Sequence, residues 1–395
     1  MPKRAVNVNL NAVRIPLTRI GSMTISKIYI DARVARQENV AKILSRLQRP
    51  SEIVSDARQL YRRLAASADP VQAGKHVLYL TRNKGAFIKP CPGTRCYTCC
   101  DYQILHIGTY CTMDCSYCIM QSYFHPPVLQ YFVNDGDLLA EIDIFLDRPQ
   151  ISRIGTGEFT DSLIWEPWTD LSRLLVPRFA TQDRVVLELK SKTTFTENLK
   201  DLAHNRKTIM AWSLNTPRII AQEERGTASL NARLTAAAQC AKWGYPLAFH
   251  FDPMILYEGC EPEYRDLVRQ MFERVSAEDI IWISLGTLRF MPALKPIIQS
   301  RFPKSKIALG EFIPGMDGKM RYFKPLRIEL YQKMISWLRA GAPRTALYFC
   351  MEDDEVWRKS MGYTPAERGG LPRILDERAV EMCGLNPALL WEKPR

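Results

Sequence analysis

No stretch of about eighteen apolar residues occurs in this chain, so a conventional transmembrane helix is not expected. The opening, Met1-Pro2-Lys3-Arg4 followed by mixed polar residues, lacks the apolar core of a secretory signal. Heptads, low-complexity tracts and fixed-period repeats are also missing. A cytoplasmic protein is the resulting expectation. A disulfide scaffold does not fit: the eleven cysteines are odd in number, and seven of them fall between Cys91 and Cys118. In a reducing compartment such clustering reads first as metal or cluster binding. Acidic residues are scarce at the start, where residues 1–63 hold four Asp or Glu against thirteen Lys or Arg. That segment carries +9 of the net +12. It suits a polyanionic partner such as nucleic acid, or else a solvated basic surface.

What is present is an ordinary globular composition, 46% hydrophobic and 24% charged over 395 residues. From about residue 102 short apolar strands alternate with helical patterns. The strands are 103–109, 151–156, 184–190, 208–214, 246–251 and 279–285. The clearest helix between them runs from about Ser229 to Trp243 and stops at Gly244, which tolerates the left-handed cap. Alternation of this kind builds a parallel sheet covered by helices. Polar and glycine-rich residues follow the strands, at the carboxyl ends where a parallel β/α barrel keeps its site. The fold class is α/β, an open, partial (β/α)6 barrel with N-terminal and C-terminal α/β extensions. A closed eight-unit barrel or a doubly wound sheet is the alternative. The expected organisation is a basic N-terminal region over 1–85, the barrel over 86–290 and a C-terminal extension over 291–395 that contacts substrate.

The central signal is Cys111-Thr112-Met113-Asp114-Cys115-Ser116-Tyr117-Cys118, a C-x3-C-x2-C triad just beyond a strand. Three thiolates on one loop can hold three irons of a [4Fe–4S] cubane and leave the fourth open to a small molecule. The other readings are a zinc site, which would prefer four ligands, and structural thiols. Cys91, Cys96, Cys99 and Cys100 form a second group. It suits an auxiliary metal site, a turn packing small thiols, or a redox role.

The triad with Tyr117 resembles the radical S-adenosylmethionine (SAM) superfamily. The wider sequence resembles its spore photoproduct lyase branch, through Gly155-Thr-Gly-Glu-Phe-Thr-Asp-Ser, Leu189-Lys-Ser-Lys-Thr, Trp212-Ser-Leu-Asn, Gly226-Thr-Ala-Ser-Leu-Asn-Ala-Arg-Leu and Met351-Glu-Asp-Asp-Glu-Val-Trp. The resemblance implies a radical SAM barrel with a [4Fe–4S] cluster on Cys111, Cys115 and Cys118. It places Tyr117 beside the adenine and Gly155, Gly157 and Glu158 near the methionine amino group. Lys192 would meet the SAM carboxylate, and Ser213 and Asn215 the methionine and ribose portions. Solvated charge for Lys192 and turn capping for Ser213 and Asn215 are the plainer alternatives. The implied activity is reductive cleavage of SAM to a 5′-deoxyadenosyl radical acting on nucleic acid, as in repair of a DNA photoproduct. A flavodoxin or ferredoxin would supply the electron. One departure stands out. The family carries a hydrogen-donating cysteine beside a Ser-Asp pair, and the stretch here, Gly157-Glu158-Phe159-Thr160-Asp161, has none. Cys91, Cys96, Cys99, Cys100, Cys260 and Cys350 are the candidates to replace it.

His250 and Asp252 alternate onto one face at the end of the fifth strand, where they suit either substrate contact or a structural pair. Arg289 can face a phosphate. Arg321 and Tyr322 resemble the basic-aromatic segment with which the lyase wedges DNA open, a role suited to stacking plus phosphate contact. Two other functions remain open: a radical SAM enzyme acting on a peptide or small molecule, and a non-catalytic nucleic-acid-binding protein with a structural metal.

Overall fold

The computed structural model describes residues 25–390 apart from Arg95 and Pro126. Lys3, Arg4, Arg14 and Arg19 of the basic opening, and the final five residues of the tail, lie outside the described residues. Among the described residues no helix is long and apolar enough to cross a membrane.

Val185–Ser191, Thr208–Ser213 and Ile280–Thr287 are buried along almost their whole length. Runs of this kind belong to parallel strands covered on both faces. They lie in an eight-stranded sheet whose spatial order is Ala346–Phe349, Ile280–Thr287, Leu247–Met254, Thr208–Ser213, Val185–Ser191, Ser152–Gly155, Gln103–Leu105 and Ile88–Pro90. All neighbours pair in parallel except Ile88–Pro90, which runs antiparallel along one edge. The six expected strands are therefore present in chain order as the curled sheet of a partial barrel. A seventh parallel strand, Ala346–Phe349, joins them. It belongs to the segment that the sequence reading set outside the barrel. The helix expected after Ser229 is Leu230–Lys242, with the Ser229 side chain accepting from Ala232 N and Gly244 at φ +88° just past its end.

The first expected strand, 103–109, is divided between two sheets. Gln103–Leu105 stays in the barrel. Gly108–Thr109 crosses to a five-stranded sheet ordered Ser51–Val54, Lys27–Asp31, Val77–Thr81, Leu129–Phe132, Gly108–Thr109. A Cβ at Gly108 would lie 2.4 Å from the Gln130 carbonyl oxygen, so only glycine permits the crossing. The cysteine triad follows at once, between the barrel and this second sheet.

Backbone hydrogen bonding leaves the two edges of the barrel sheet unjoined, and side segments bridge them. Thr98 N donates to the Glu352 carbonyl at 3.2 Å. Buried Arg153 pairs with Asp376 at 2.8 Å and also donates to the Cys100 carbonyl. A small antiparallel sheet of Arg289–Phe290, Met320–Tyr322 and Phe312–Pro314 stands after the sixth barrel strand.

Gly155 closes the second barrel strand against its neighbours: a Cβ there would lie 1.8 Å from Tyr102 Oη and 2.6 Å from the Glu188 carbonyl oxygen. Gly155→Ala is expected to cost about 1–3 kcal/mol through overpacking, seen as a lower thermal-unfolding midpoint of the full chain. An unchanged midpoint would mean that Tyr102 moves aside freely.

Candidate functional site

The triad loop is held from several sides. Asp114 and Cys115 pair antiparallel with Arg225 and Glu224, which fastens the loop to the segment after Pro217–Glu223. Ser116 N donates to the Glu223 carbonyl at 2.9 Å, and the Ser116 hydroxyl donates to the Glu223 carboxylate. Gln121 Nε2 gathers the carbonyls of Cys115, Ser116 and Cys118 at 3.3, 3.0 and 3.2 Å. Arg301, from the helix Leu294–Arg301, in turn holds Gln121 Oε1 and takes both Asp114 carboxylate oxygens at 3.1 Å. Beneath the loop, fully buried Lys75 donates to the Met113 carbonyl and lies 3.3 Å from Asp114 Oδ1. All three thiols lie within its electrostatic reach, and their mutual influence marks them as one group. Burial pushes the Cys111 thiol up to about 11, opposed by Lys75. It also raises Cys115, opposed by Lys192. Three thiols on one loop backed by an ammonium suit an iron–sulfur cluster, which binds the thiolate forms and whose resulting negative charge Lys75 would offset.

A polar chain leads from the triad into the barrel. The Tyr117 hydroxyl donates to Glu224, and Lys192 Nζ stands 5.7 Å from the centre of the Tyr117 ring. Glu224 is buried, and it is also paired with fully buried Arg233 at 2.5 Å. Burial raises its pKa, but Arg233 and Lys192 outweigh that and hold it below the usual range. Arg233 spends its other donors on the carbonyls of Ala228 and Ser213, at 2.9 and 2.8 Å, and on Thr227 Oγ1 at 2.7 Å. Tyr117, Lys192 and Ser213 are thus brought to one place. Asn215 is tied up within the protein. It donates to the Pro253 carbonyl at 2.9 Å and accepts from Tyr264 Oη at 2.9 Å and Thr216 N at 3.0 Å. Gly157 leaves room for Lys190, whose Cβ would lie 2.9 Å from an added methyl group.

The barrel mouth holds a second group. Buried Glu188 accepts from Tyr102 Oη at 3.2 Å and Trp282 Nε1 at 2.9 Å, with His250 Nε2 3.4 Å away. Burial raises Glu188, but His250, Lys190 and Trp282 prevail and bring it down to about 2. His250 Nδ1 shares a 2.7 Å hydrogen bond with Ser284, while its Nε2, nine-tenths buried, completes none. Asp252 takes both Arg289 NH groups at 3.0 Å, and Arg289 also donates to Cys350 Sγ at 3.2 Å. The charge of Arg289, expected to face a phosphate, is thus matched inside the protein. Glu158 is exposed, with Lys190 Nζ 3.8 Å away.

Arg321 and Tyr322 are corrected. Both are buried, at 2% and 5% exposure, so neither presents itself as a wedge. Arg321 stacks 4.2 Å over the Tyr97 ring and binds the Met351 carbonyl and Asp317, each at 3.0 Å. Tyr322 stacks on Phe312 with ring centres 4.7 Å apart. Exposed large hydrophobics on and beside this small sheet include Ile313, Met316, Phe323 and Leu326.

Sequence reasoning missed Lys75, Gln121, Glu188, Glu224, Arg233 and Arg301. Arg233 alone left a signal, being a charge among the buried positions Leu230, Leu234 and Ala237 of its helix. Arg233→Met strands the Glu224 carboxylate and is expected to cost about 3–5 kcal/mol, with part recovered in Arg233→Met/Glu224→Gln. Thermal unfolding of the three proteins checks this. Glu188, lowered in the folded state, contributes stability that is fully present above its ordinary value of 4.5 and is lost as pH falls through about 2. The stability gap between wild type and Glu188→Gln is therefore expected to narrow from pH 4.5 to about 2, and a constant gap would refute that assignment.

A family model described as spore photoproduct lyase matches residues 96–324, more than half of the chain. The spore photoproduct lyase of Bacillus subtilis (strain 168) is 30% identical over 213 residues, covering 52% of this chain and 61% of that protein. The lyase of Geobacillus sp. (strain Y412MC61) is 28% identical over 210 residues, 52% of this chain and 62% of that protein. The chain thus spans about three-fifths of the length of these relatives. Among solved structures, a double mutant of spore photoproduct lyase with bound AdoMet and dinucleoside spore photoproduct superposes with a TM-score of 0.73 at 21% identity, covering 83% of this chain and 98% of that one. The fold is shared, and the chain belongs to the spore photoproduct lyase family.

Proposed function

We propose that this chain is a radical SAM enzyme that acts on a DNA photoproduct. The observation that carries the reading is the single loop presenting Cys111, Cys115 and Cys118 beside Tyr117 and Lys192 at the barrel's carboxyl end. These three thiols would hold the [4Fe–4S] cluster. A bound, reduced cluster supplies the electron that splits SAM into methionine and a 5′-deoxyadenosyl radical, chemistry that belongs to the cofactor. The residues of the chain aim and shield it. Lys192 offers its ammonium to a carboxylate, held near the triad because its own backbone N–H bonds Asp161 at 2.8 Å. Tyr117, fixed by Glu224, provides a flat face for adenine. The Gly155–Glu158 segment follows the second strand, near the methionine end. A flavodoxin or ferredoxin is the proposed electron donor.

Nucleic acid as the substrate rests on the basic N-terminal segment and on the relatives. One solved relative carries AdoMet together with a dinucleoside spore photoproduct. Exposed Met316 and Phe323, at 61% and 54%, offer apolar surface beside the mouth against which an unstacked base can pack. His250 and Asp252 lie inside the mouth, where a lesion turned out of the duplex would meet them.

The test uses anaerobically reconstituted full-length protein with SAM, a reductant and dinucleoside spore photoproduct. Wild type is expected to bind about four irons, as a [4Fe–4S] cluster requires, to form 5′-deoxyadenosine and to release paired thymines. Cys115→Ala is expected to abolish 5′-deoxyadenosine formation, and Lys192→Ala to weaken SAM binding about tenfold, corresponding to loss of one charge-assisted contact. Zinc in place of iron, or a cluster that yields no 5′-deoxyadenosine, would overturn the reading in favour of a structural metal.

A further inference from the structure

The proposed reaction leaves a carbon radical on the product, which must regain a hydrogen atom. The stretch 155–162 supplies no thiol for this. We propose that Cys350 is the hydrogen-atom donor, held at the barrel mouth by the Arg289–Asp252 pair. The inference rests on the function proposed above.

Cys350 follows the seventh parallel strand, Ala346–Phe349, at its carboxyl end. Its backbone is pinned there, with Cys350 N donating to the Leu285 carbonyl at 3.1 Å. Its side chain is half-buried, neither sealed in the core nor open to bulk water. Arg289 NH2 donates to Sγ at 3.2 Å, which occupies a sulfur lone pair and leaves the S–H hydrogen free. The guanidinium cannot wander, because its two NH groups are forked onto Asp252 at 3.0 Å each. Gly286 makes room for this clamp, since a Cβ there would lie 2.7 Å from Asp252 Cγ and 2.9 Å from Arg289 NH1. Glu158 and Lys190 stand within electrostatic reach of the thiol. His250, from the same strand as Asp252, brings a nine-tenths buried ring to the same mouth, with Nε2 3.4 Å from Glu188 Oε1.

The chemistry also suits this thiol. Hydrogen-atom transfer needs an intact S–H bond, and burial pushes Cys350 up to about 11, with Arg289 only partly opposing. Cys99 is the reverse case. Hydrogen bonds from Cys100 and Asp101 N bring it down to about 6, which favours the thiolate over the S–H form that hydrogen-atom transfer needs. Cys100 is engaged with Cys99, Cys96 is exposed, and Cys260 is buried at the start of the helix Cys260–Arg274. Cys91, raised by burial to about 12, also lies near Glu158 and Lys190, on the irregular segment after Ile88–Pro90; what distinguishes Cys350 is the Arg289 hydrogen bond to its sulfur.

In the proposed step the S–H bond of Cys350 breaks and a C–H bond forms on the product radical, leaving a thiyl radical. The thiyl then takes a hydrogen atom from the methyl group of 5′-deoxyadenosine, which restores the thiol and regenerates the adenosyl radical. No outside oxidant or reductant is consumed in this exchange.

The experiment runs the reconstituted full chain in D2O with dinucleoside spore photoproduct, measuring repaired thymine, its deuterium content and 5′-deoxyadenosine. In wild type, repaired thymine is expected to carry one solvent deuterium, since thiols exchange. In Cys350→Ala and Cys350→Ser, repaired thymine per 5′-deoxyadenosine is expected to fall at least tenfold. Serine keeps the volume and an Arg289 partner but has no weak S–H bond. Cys91→Ala and Cys99→Ala are expected to keep the wild-type ratio. A wild-type ratio in Cys350→Ser, or the loss appearing in Cys99→Ala instead, overturns the proposal. A second measurement needs no turnover: in cluster-free protein, the dinucleoside is expected to slow iodoacetamide alkylation of Cys350 at least fivefold, read by peptide mass spectrometry. Failure to protect also overturns it. If wild type forms 5′-deoxyadenosine but repairs no thymine, the substrate reading fails, and the alkylation result still decides whether Cys350 faces the ligand space.

Discussion

A buried carboxylate must be paired, and much of the site is arranged around how Glu224 meets that constraint. Its backbone pairs with Cys115, its carboxylate accepts from Tyr117, and Arg233 supplies the counter-charge at 2.5 Å. An unpaired charge at this depth would cost several kcal/mol. The pairing therefore fixes where the triad loop can lie relative to the helix Leu230–Lys242. Arg233 passes the constraint on by holding the Ser213 carbonyl at the end of the fourth strand. The triad loop is thus registered to two segments about a hundred residues later before any cofactor binds.

The barrel strands were legible because burial on both faces makes them continuous apolar runs, which short-range reading detects. The seventh strand was harder. A hairpin and the long helix Lys324–Gly341 separate it from the sixth strand, so its chain spacing differs from that of the earlier units. The division of 103–109 was invisible for another reason: the apolar pattern runs straight through, and only the approach of Gln130 to Gly108 shows that the chain changes sheet.

In the site, chemistry placed close together in sequence was legible and chemistry assembled across the fold was not. The triad and Tyr117 lie within eight residues, so their grouping needed no tertiary information. Lys75, Gln121 and Arg301 converge on that loop from three helices, and no local pattern distinguishes them from surface polar residues. Arg321 and Tyr322 show the opposite error. A basic-aromatic pair in a turn-rich segment reads as exposed, but Tyr97, more than two hundred positions earlier in sequence, covers the arginine, and Phe312 covers the tyrosine.

The carboxylates of the mouth outnumber its cations. Lys190 stands between Glu158 and Glu188, and Arg289 is forked onto Asp252. A polyanion would therefore find little net attraction at the reacting centre, and its phosphates must be held elsewhere. The basic excess of residues 1–63 suits that task, because phosphate contacts position a nucleic acid without needing to reach its bases. This separation has a chemical advantage. Affinity for the backbone would then be set at a distance from the reacting groups. The Arg289–Asp252 pair also protects the thiol, since an unmatched Arg289 beside Cys350 would favour thiolate and remove the hydrogen atom that the sulfur is placed to give.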